Sequence, residues 1–348
     1  MKIAIVILNW NGTELLKRFL PSVLNYSDEN PIYIIDNNSD DSSINFIKKN
    51  HPSINIILNR ENYGYAKGYN EGLKHVSEEV YCLLNNDVEV TKGWLSPIIK
   101  QFESDKYLSV VQPKILDYKN KNKFEYAGAA GGFIDYYGYP YCRGRIFDSV
   151  EIDNGQYDQD IDIFWASGAC FFIKKEVFKN LKGFDENFYS HMEEIDLCWR
   201  ITNFNSELKK KFIYKSIVYH LGAGSLGYNH PKKLYLNIRN HNYMIIKNTN
   251  TSLLNYLFLF DFSRLGIINK FNQLLFFYHL ITFNFKFIIS FFKMWKSLDN
   301  ASKDYSGFSH KYFLLRKNNN TPKYYVIKSI IYNYLILKKR KYSELNNT

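Results

Sequence analysis

Apolar residues come in short unbroken runs through the first quarter of the chain: IAIVIL at 3–8, PIYIID at 31–36, INIIL at 54–58 and VYCLL at 80–84. Runs of this length between polar turns read as strands buried on both faces. The stretches 13–25, 40–50 and 65–76 lie between them with helical spacing. The order βαβαβαβ predicts an α/β domain with a mostly parallel sheet and helices on both faces. In such sheets ligands bind beyond the carboxyl ends of the strands. Asn9, Asp36 and Asp87 each stand at such an end.

The pattern is mixed from 107 to 147, with one strand (LSVVQPKIL) and then a loop rich in Gly and Tyr. A strand is expected at 163–173, a helix from near Glu193 and a strand at 212–219, which complete the domain near residue 230. Beyond residue 251 the chain is strongly apolar, but Asp261, Arg264, Lys270, Lys286 and Lys293 interrupt it. Its longest charge-free stretch, 271–285, is shorter than the ~20 residues of a spanning helix, so 253–295 reads as amphipathic, interfacial helices. The domains expected are 1–250, catalytic, and 251–348, helical, basic and membrane-associating.

Charge sharpens this division. The chain of 348 residues carries a net +11. From Lys296 onward eleven Lys and Arg face three Asp and Glu, so +8 of it sits in the last 53 residues. A nucleic-acid binder would spread such charge over its fold, whereas a basic end suits an anionic membrane surface or is simply solvated. Cys82, Cys142, Cys170 and Cys198 form no CxxC pair, which argues against a zinc site or a disulfide framework and suggests reduced thiols in a cytoplasmic protein. The run at 3–8 is too short for a signal peptide core, and neither GxGxxG nor GxxxxGK[ST] occurs.

Five segments carry candidate chemistry. LLNNDVEV (83–90) breaks an apolar strand with Asn85-Asn86-Asp87, which is either a polar turn or a carboxylate delivered to a divalent cation. IDNNSDDSS (35–43) ends a strand on Asp36, and helix capping explains its later residues better than its first. NRENYGYAKGYNEGL (59–73) repeats Gly64, Gly68 and Gly72 through a helix at a cost of ~1 kcal/mol each, which calls for close approach of a ligand or another backbone. GFDENFYSHMEEIDLCWRI (183–201) places Glu193, Glu194 and Asp196 in a first helical turn, as dipole compensation or as a general base. VYHLGAGS (218–225) sets His220 between a strand and a glycine turn, where an imidazole is structural or completes a cation site.

In this order, with VILNWNG and WASGACFFIKKEVF, these segments resemble family 2 glycosyltransferases of GT-A fold, and in particular the bacterial branch containing rhamnosyltransferases. The likeness spans roughly residues 1–250. It implies that Asn9 and Asp36 hold the nucleotide base with Trp10 and Asn11 beside them, and that Asn62, Gly64, Lys67 and Asn86 line the nucleotide. It implies a cation, Mn²⁺ or Mg²⁺, at Asn85, Asp87 and His220. Trp165 and Gly168 would shape the acceptor site. Glu194, or Glu193 one place earlier, would be the base, with Asp196 and Arg200 completing that motif. The implied activity is inverting transfer of rhamnose or another hexose from a dTDP- or UDP-sugar to a glycan or lipid-linked acceptor. That would serve cell-surface polysaccharide synthesis at the inner face of the cytoplasmic membrane. Asn85 in place of an Asp, and Glu in place of the usual Asp base, leave a catalytically silent nucleotide-sugar-binding protein as the alternative; a nucleotidyltransferase fits the NWNGTELLKR loop poorly.

Overall fold

The computed structural model describes residues 1–135, 138–222, 231–248, 327 and 329–347. The expected alternation opens the chain: β1 (Ile3–Asn9), α1 (Thr13–Tyr26), β2 (Ile32–Asp36), α2 (Ser43–Asn50), β3 (Asn55–Leu58), α3 (Gly64–Gly72) and β4 (Val80–Asn85). These strands pair in parallel in the order β4-β1-β2-β3, and β1 aligns Asn9 with Asp36 on β2. Alternation along β1 builds two cores. Ile3, Ile5 and Ile7 pack with Leu16, Leu20 and Val23 of α1 on one face. Ala4 and Val6 pack with Ala66 and Tyr69 of α3 on the other.

The glycine repeat of α3 is explained here. A Cβ on Gly72 would lie 2.3 Å from Ile35 Cδ1, and one on Gly68 2.9 Å from the Asn37 amide, so the helix rests directly on β2. Gly64 has φ +73°, which opens the helix in a conformation that L side chains rarely adopt.

The next elements are β5 (Val88–Val90), α4 (Ser96–Ser104) and β6 (Leu108–Asp117). A small antiparallel sheet follows: β7 (Gly132–Ile134), β8 (Pro140–Cys142), β9 (Arg145–Ile146) and β10 (Ser149–Val150). Then come β11 (Ile161–Asp162), β12 (Cys170–Lys174), α5 (Lys175–Asn180), α6 (Glu193–Phe204), β13 (Lys209–His220), α7 (Pro231–Asn248) and α8 (Ile330–Leu335). In the main sheet β12 runs antiparallel between β4 and β6, and β13 lies beyond β6. The sheet is therefore parallel in its first half and mixed in its second, because β12 enters in the opposite sense.

Two C-terminal findings bear on the expected division of the chain. Helix α7 packs on α6, where Lys247 Nζ lies 2.9 Å from the Asp196 carboxylate. Residues 329–347 pack on the small sheet. Ile330 N–H donates to Asp135 at 2.9 Å, Tyr342 N–H to Glu151 at 3.0 Å, and the Tyr342 ring lies 5.4 Å from that of Phe133. The expected interfacial stretch 253–295 lies outside the described residues. Among the described residues no helix is long and apolar enough to cross a membrane.

Candidate active site

Three groups of polar side chains gather at the carboxyl ends of β1, β2, β4 and β13. The first centres on Asn9, which is fully buried. Its amide donates to Asp36 Oδ1 at 3.0 Å and to Ser43 Oγ at 3.1 Å, and its oxygen accepts from Asn86 Nδ2 at 3.2 Å. Gly12 makes this junction possible, since a Cβ there would fall 2.3 Å from Asn9 Oδ1. Asp36 also accepts from Ser39 N–H at 2.8 Å and Ser39 Oγ at 2.6 Å. That leaves its carboxylate about one acceptor position, on Oδ2, for a ligand. Asn11, at φ +50°, accepts from Asp40 N–H at 2.9 Å.

The second group forms where β4 ends and β5 begins. β5 pairs with the last residues of β13, so Asp87 and His220 meet: Asp87 Oδ1 lies 3.1 Å from His220 Nε2. The Asn85 amide is 3.5 Å from the same nitrogen. On the other side of the ring, Nδ1 is 3.4 Å from Glu125 Oε1. Burial alone would lower the pKa of His220, but the carboxylates of Glu125 and Asp87 raise it to about 10. The ring lies between two carboxyl groups, which favour its protonated form against burial. No motif singled out Glu125, which comes from the loop after β6 and reaches the site only through the fold.

The third group opens α6. Tyr189, His191 and Met192 all have positive φ (62°, 74° and 73°), so the chain turns tightly before Glu193 and Glu194 begin the helix. Glu193 is buried and Glu194 half-buried, and each has an Oε2 without a hydrogen-bond partner. Burial raises the Glu194 carboxyl to about 7, against the pull of the backbone N–H groups of Glu194, Gly168 and Ile195. Burial, followed by the Glu194 charge, pushes the Glu193 carboxyl well above its ordinary value. Gly168 lies beside the base: a Cβ there would sit 3.0 Å from Tyr65 OH and 3.7 Å from Glu194 Cδ, and its carbonyl accepts from Tyr65 OH at 2.9 Å. The next residue, Ala169, accepts from Asn85 N–H at 3.0 Å, which ties the second and third groups together.

Other expected residues lie further out or are committed to structure. Asp196 is buried and bound to Arg200 Nε at 2.7 Å, Lys247 Nζ at 2.9 Å and Asn248 Nδ2 at 2.8 Å, so its charge is already matched. Trp165 is buried, with its indole N–H given to Phe133 O at 2.8 Å and its ring against Gly132. Asn62 caps α3 by accepting from Gly64 N–H at 3.0 Å. Lys67 lies 4.1 Å over the Tyr63 ring, and Trp10 is 52% exposed.

Sequence pattern did not single out the element that holds the tight turn. Asn240 of α7 donates its amide to the carbonyls of Phe188, Ser190 and His191 at 3.0, 2.8 and 2.7 Å. Asn240→Ala is expected to cost about 1–3 kcal/mol by stranding these carbonyls. Urea unfolding should show that loss, and an unchanged midpoint would remove Asn240 from this role.

The chain matches the family described as "Glycosyl transferase family 2" over residues 4–182. It is 22% identical to the low-salt glycan biosynthesis hexosyltransferase Agl10 of Haloferax volcanii over 243 residues, 68% of this chain and 73% of that protein. It is 23% identical to the rhamnosyltransferase WbbL of Escherichia coli over 205 residues, 57% of this chain and 76% of that one. Other relatives are longer, and the match spans 39% of one, a pre-mycofactocin glycosyltransferase of Mycobacterium tuberculosis. Among solved structures, GalNAc-T7 with UDP, GalNAc and Mn²⁺ superposes with TM-score 0.56 at 17% identity. The superposition covers 78% of this chain and 54% of that one, and the likeness is one of fold.

Proposed function

This chain belongs to glycosyl transferase family 2 and is a glycosyltransferase of GT-A fold, and on that premise we propose that it transfers a sugar, rhamnose or another hexose, from a dTDP- or UDP-linked donor to a hydroxyl of a glycan or lipid-linked acceptor, inverting the anomeric centre. The observation that carries this reading is the pairing of two unlike groups at one sheet edge. A carboxyl with a pKa of about 7 and a free oxygen stands next to a strand start that touches the Asn85–Asp87–His220 cluster.

Glu194 serves as the base. Its carboxylate takes the acceptor hydroxyl proton as that oxygen bonds to the anomeric carbon and the nucleoside diphosphate leaves. A pKa near 7 leaves a useful fraction ionised and still basic at neutral pH, whereas burial and the Glu194 charge both oppose ionisation of Glu193. Asn11, Asn86 and the remaining acceptor of Asp36 receive the base and ribose of the donor, the buried Asn9 holds Asp36 and Asn86 in place, and Asn62, Gly64 and Lys67 flank them. Gly168, beside Glu194, and Trp165, fixed to Phe133 O, are assigned to the acceptor side.

The donor set fits a divalent cation. Asp87 and, after a half-turn of its amide, the Asn85 oxygen would hold it, and His220 Nε2 would join them once its proton is displaced. Among the described residues no three His, Cys, Asp or Glu converge on a metal, so donor phosphates and water complete such a sphere. When bound, Mn²⁺ or Mg²⁺ supplies charge to the departing diphosphate. The basic C-terminal residues of the sequence support a position at the inner face of the cytoplasmic membrane, where lipid-linked acceptors lie.

The test is release of nucleoside diphosphate from a panel of UDP-, dTDP- and GDP-sugars with and without Mn²⁺. Cation-dependent release from one UDP- or dTDP-sugar is the expected result. Absence of both release and binding across the panel would contradict the reading.

A further inference from the structure

Arg145, the first residue of β9, is poorly satisfied for a guanidinium in this setting. Its Nε is buried without a hydrogen-bond partner. One terminal nitrogen donates to Phe147 O at 3.1 Å, and the other meets only Cys142 Sγ at 3.6 Å. Its charged end lies 4.2 Å over the ring of Tyr126, which is 41% exposed. Other arginines are used differently. Arg143, two residues earlier, gives Nε to Ala130 O and a terminal nitrogen to Gln159 O between the Tyr157 and Phe212 rings. Arg200 is spent on Asp196 and two carbonyls. Among the described residues Arg145 is the arginine with a buried N–H left over, and none of their ion pairs includes it. A guanidinium offers five N–H donors in a planar fork, and the nearby Glu125 charge gives the buried Nε no acceptor.

Its position says which ligand. Tyr126 follows Glu125, whose carboxylate is 3.4 Å from His220. Cys142, paired across the strands with Arg145, lies within reach of the charges of both Glu125 and Glu194. Arg145 itself feels the charge of Glu125, the carboxylate beside His220.

We propose that Arg145 binds a phosphate group of a substrate, with Tyr126 as the platform beneath it. The guanidinium fork matches two phosphate oxygens, and stacking on an aromatic face holds its plane. On the glycosyltransferase reading, on which the choice of phosphate rests, that group is either the donor diphosphate or a phosphate carried by the acceptor.

Calorimetry on the full chain separates these. The probes are inorganic pyrophosphate in metal-free buffer, with and without saturating UDP or dTDP, and each nucleotide with Mn²⁺. Wild type is expected to bind pyrophosphate, and Arg145→Gln to bind it about 10–100-fold more weakly. Arg145→Lys should recover part of the loss, and Tyr126→Leu should show a smaller one. Weakened nucleotide binding, with no pyrophosphate uptake by nucleotide-saturated wild type, assigns the donor phosphate. Unchanged nucleotide binding, with Arg145-dependent pyrophosphate uptake by the saturated protein, assigns an acceptor phosphate. Pyrophosphate binding through Arg145 without any nucleotide binding keeps this site and sinks the transferase reading. If Arg145→Gln fails to fold, Arg145→Lys and Tyr126→Leu carry the test. Pyrophosphate and nucleotide affinities untouched in every folded variant would overturn the proposal.

Discussion

Glu194→Gln is expected to lower kcat by ~10²–10⁴ while leaving donor affinity near wild type, because the amide keeps the shape and cannot take a proton. The pH dependence has a definite sign. The group works as a base only when ionised, and its pKa is about 7. In wild type, kcat should therefore rise about tenfold per pH unit below 7 and level off above it. Glu193→Gln alters a buried carboxyl whose ionisation burial and the Glu194 charge already oppose, so kcat should change little. Steady-state kinetics of both variants decide the register. A large loss in Glu193→Gln with little in Glu194→Gln would move the base by one residue.

Asp87→Ala should abolish cation-dependent nucleotide binding. It removes the carboxylate beside His220 Nε2 and leaves only Asn85 and an imidazole at that corner. Two of the protein's three ligands then remain, neither of them a carboxylate, too few to hold a hard cation against water. The fold should survive, since Asp87 sits in the turn between β4 and β5 and its backbone carbonyl still accepts from Leu221 N–H. Titration of UDP or dTDP at several Mn²⁺ concentrations checks this, and an affinity that still follows Mn²⁺ would refute the assignment.

The strands of the first half were legible because β1, β2 and β4 are apolar runs that end in a polar side chain, and a parallel sheet aligns those ends. Asn9 beside Asp36 is the direct result. Asn85 and Asp87 were legible for the same reason, as polar residues that an apolar strand would not otherwise carry. Glu125, Asn240 and Arg145 were not. They come from a short-strand region and from a helix beyond the recognisable motifs, and only three-dimensional packing brings them near His220, the α6 turn and Tyr126. Asp196 misled in the other direction. Its acidic neighbours suggested catalysis for it too, but Lys247, 51 residues further on, occupies it, and no local pattern announces such a pairing. The glycines of α3 gave the right demand, close approach, with two possible answers; the structure supplies β2 as the neighbour.

The most direct test compares Glu194→Gln and Asp87→Ala in one titration of the cognate nucleotide sugar, with and without Mn²⁺, followed by turnover on the same samples. The account predicts a separation: Glu194→Gln binds the donor in a Mn²⁺-dependent manner and does not turn it over, whereas Asp87→Ala loses both. Donor binding that is indifferent to Mn²⁺ in wild type, or two variants with the same defect, would contradict a base and a cation site acting as distinct parts of one active centre.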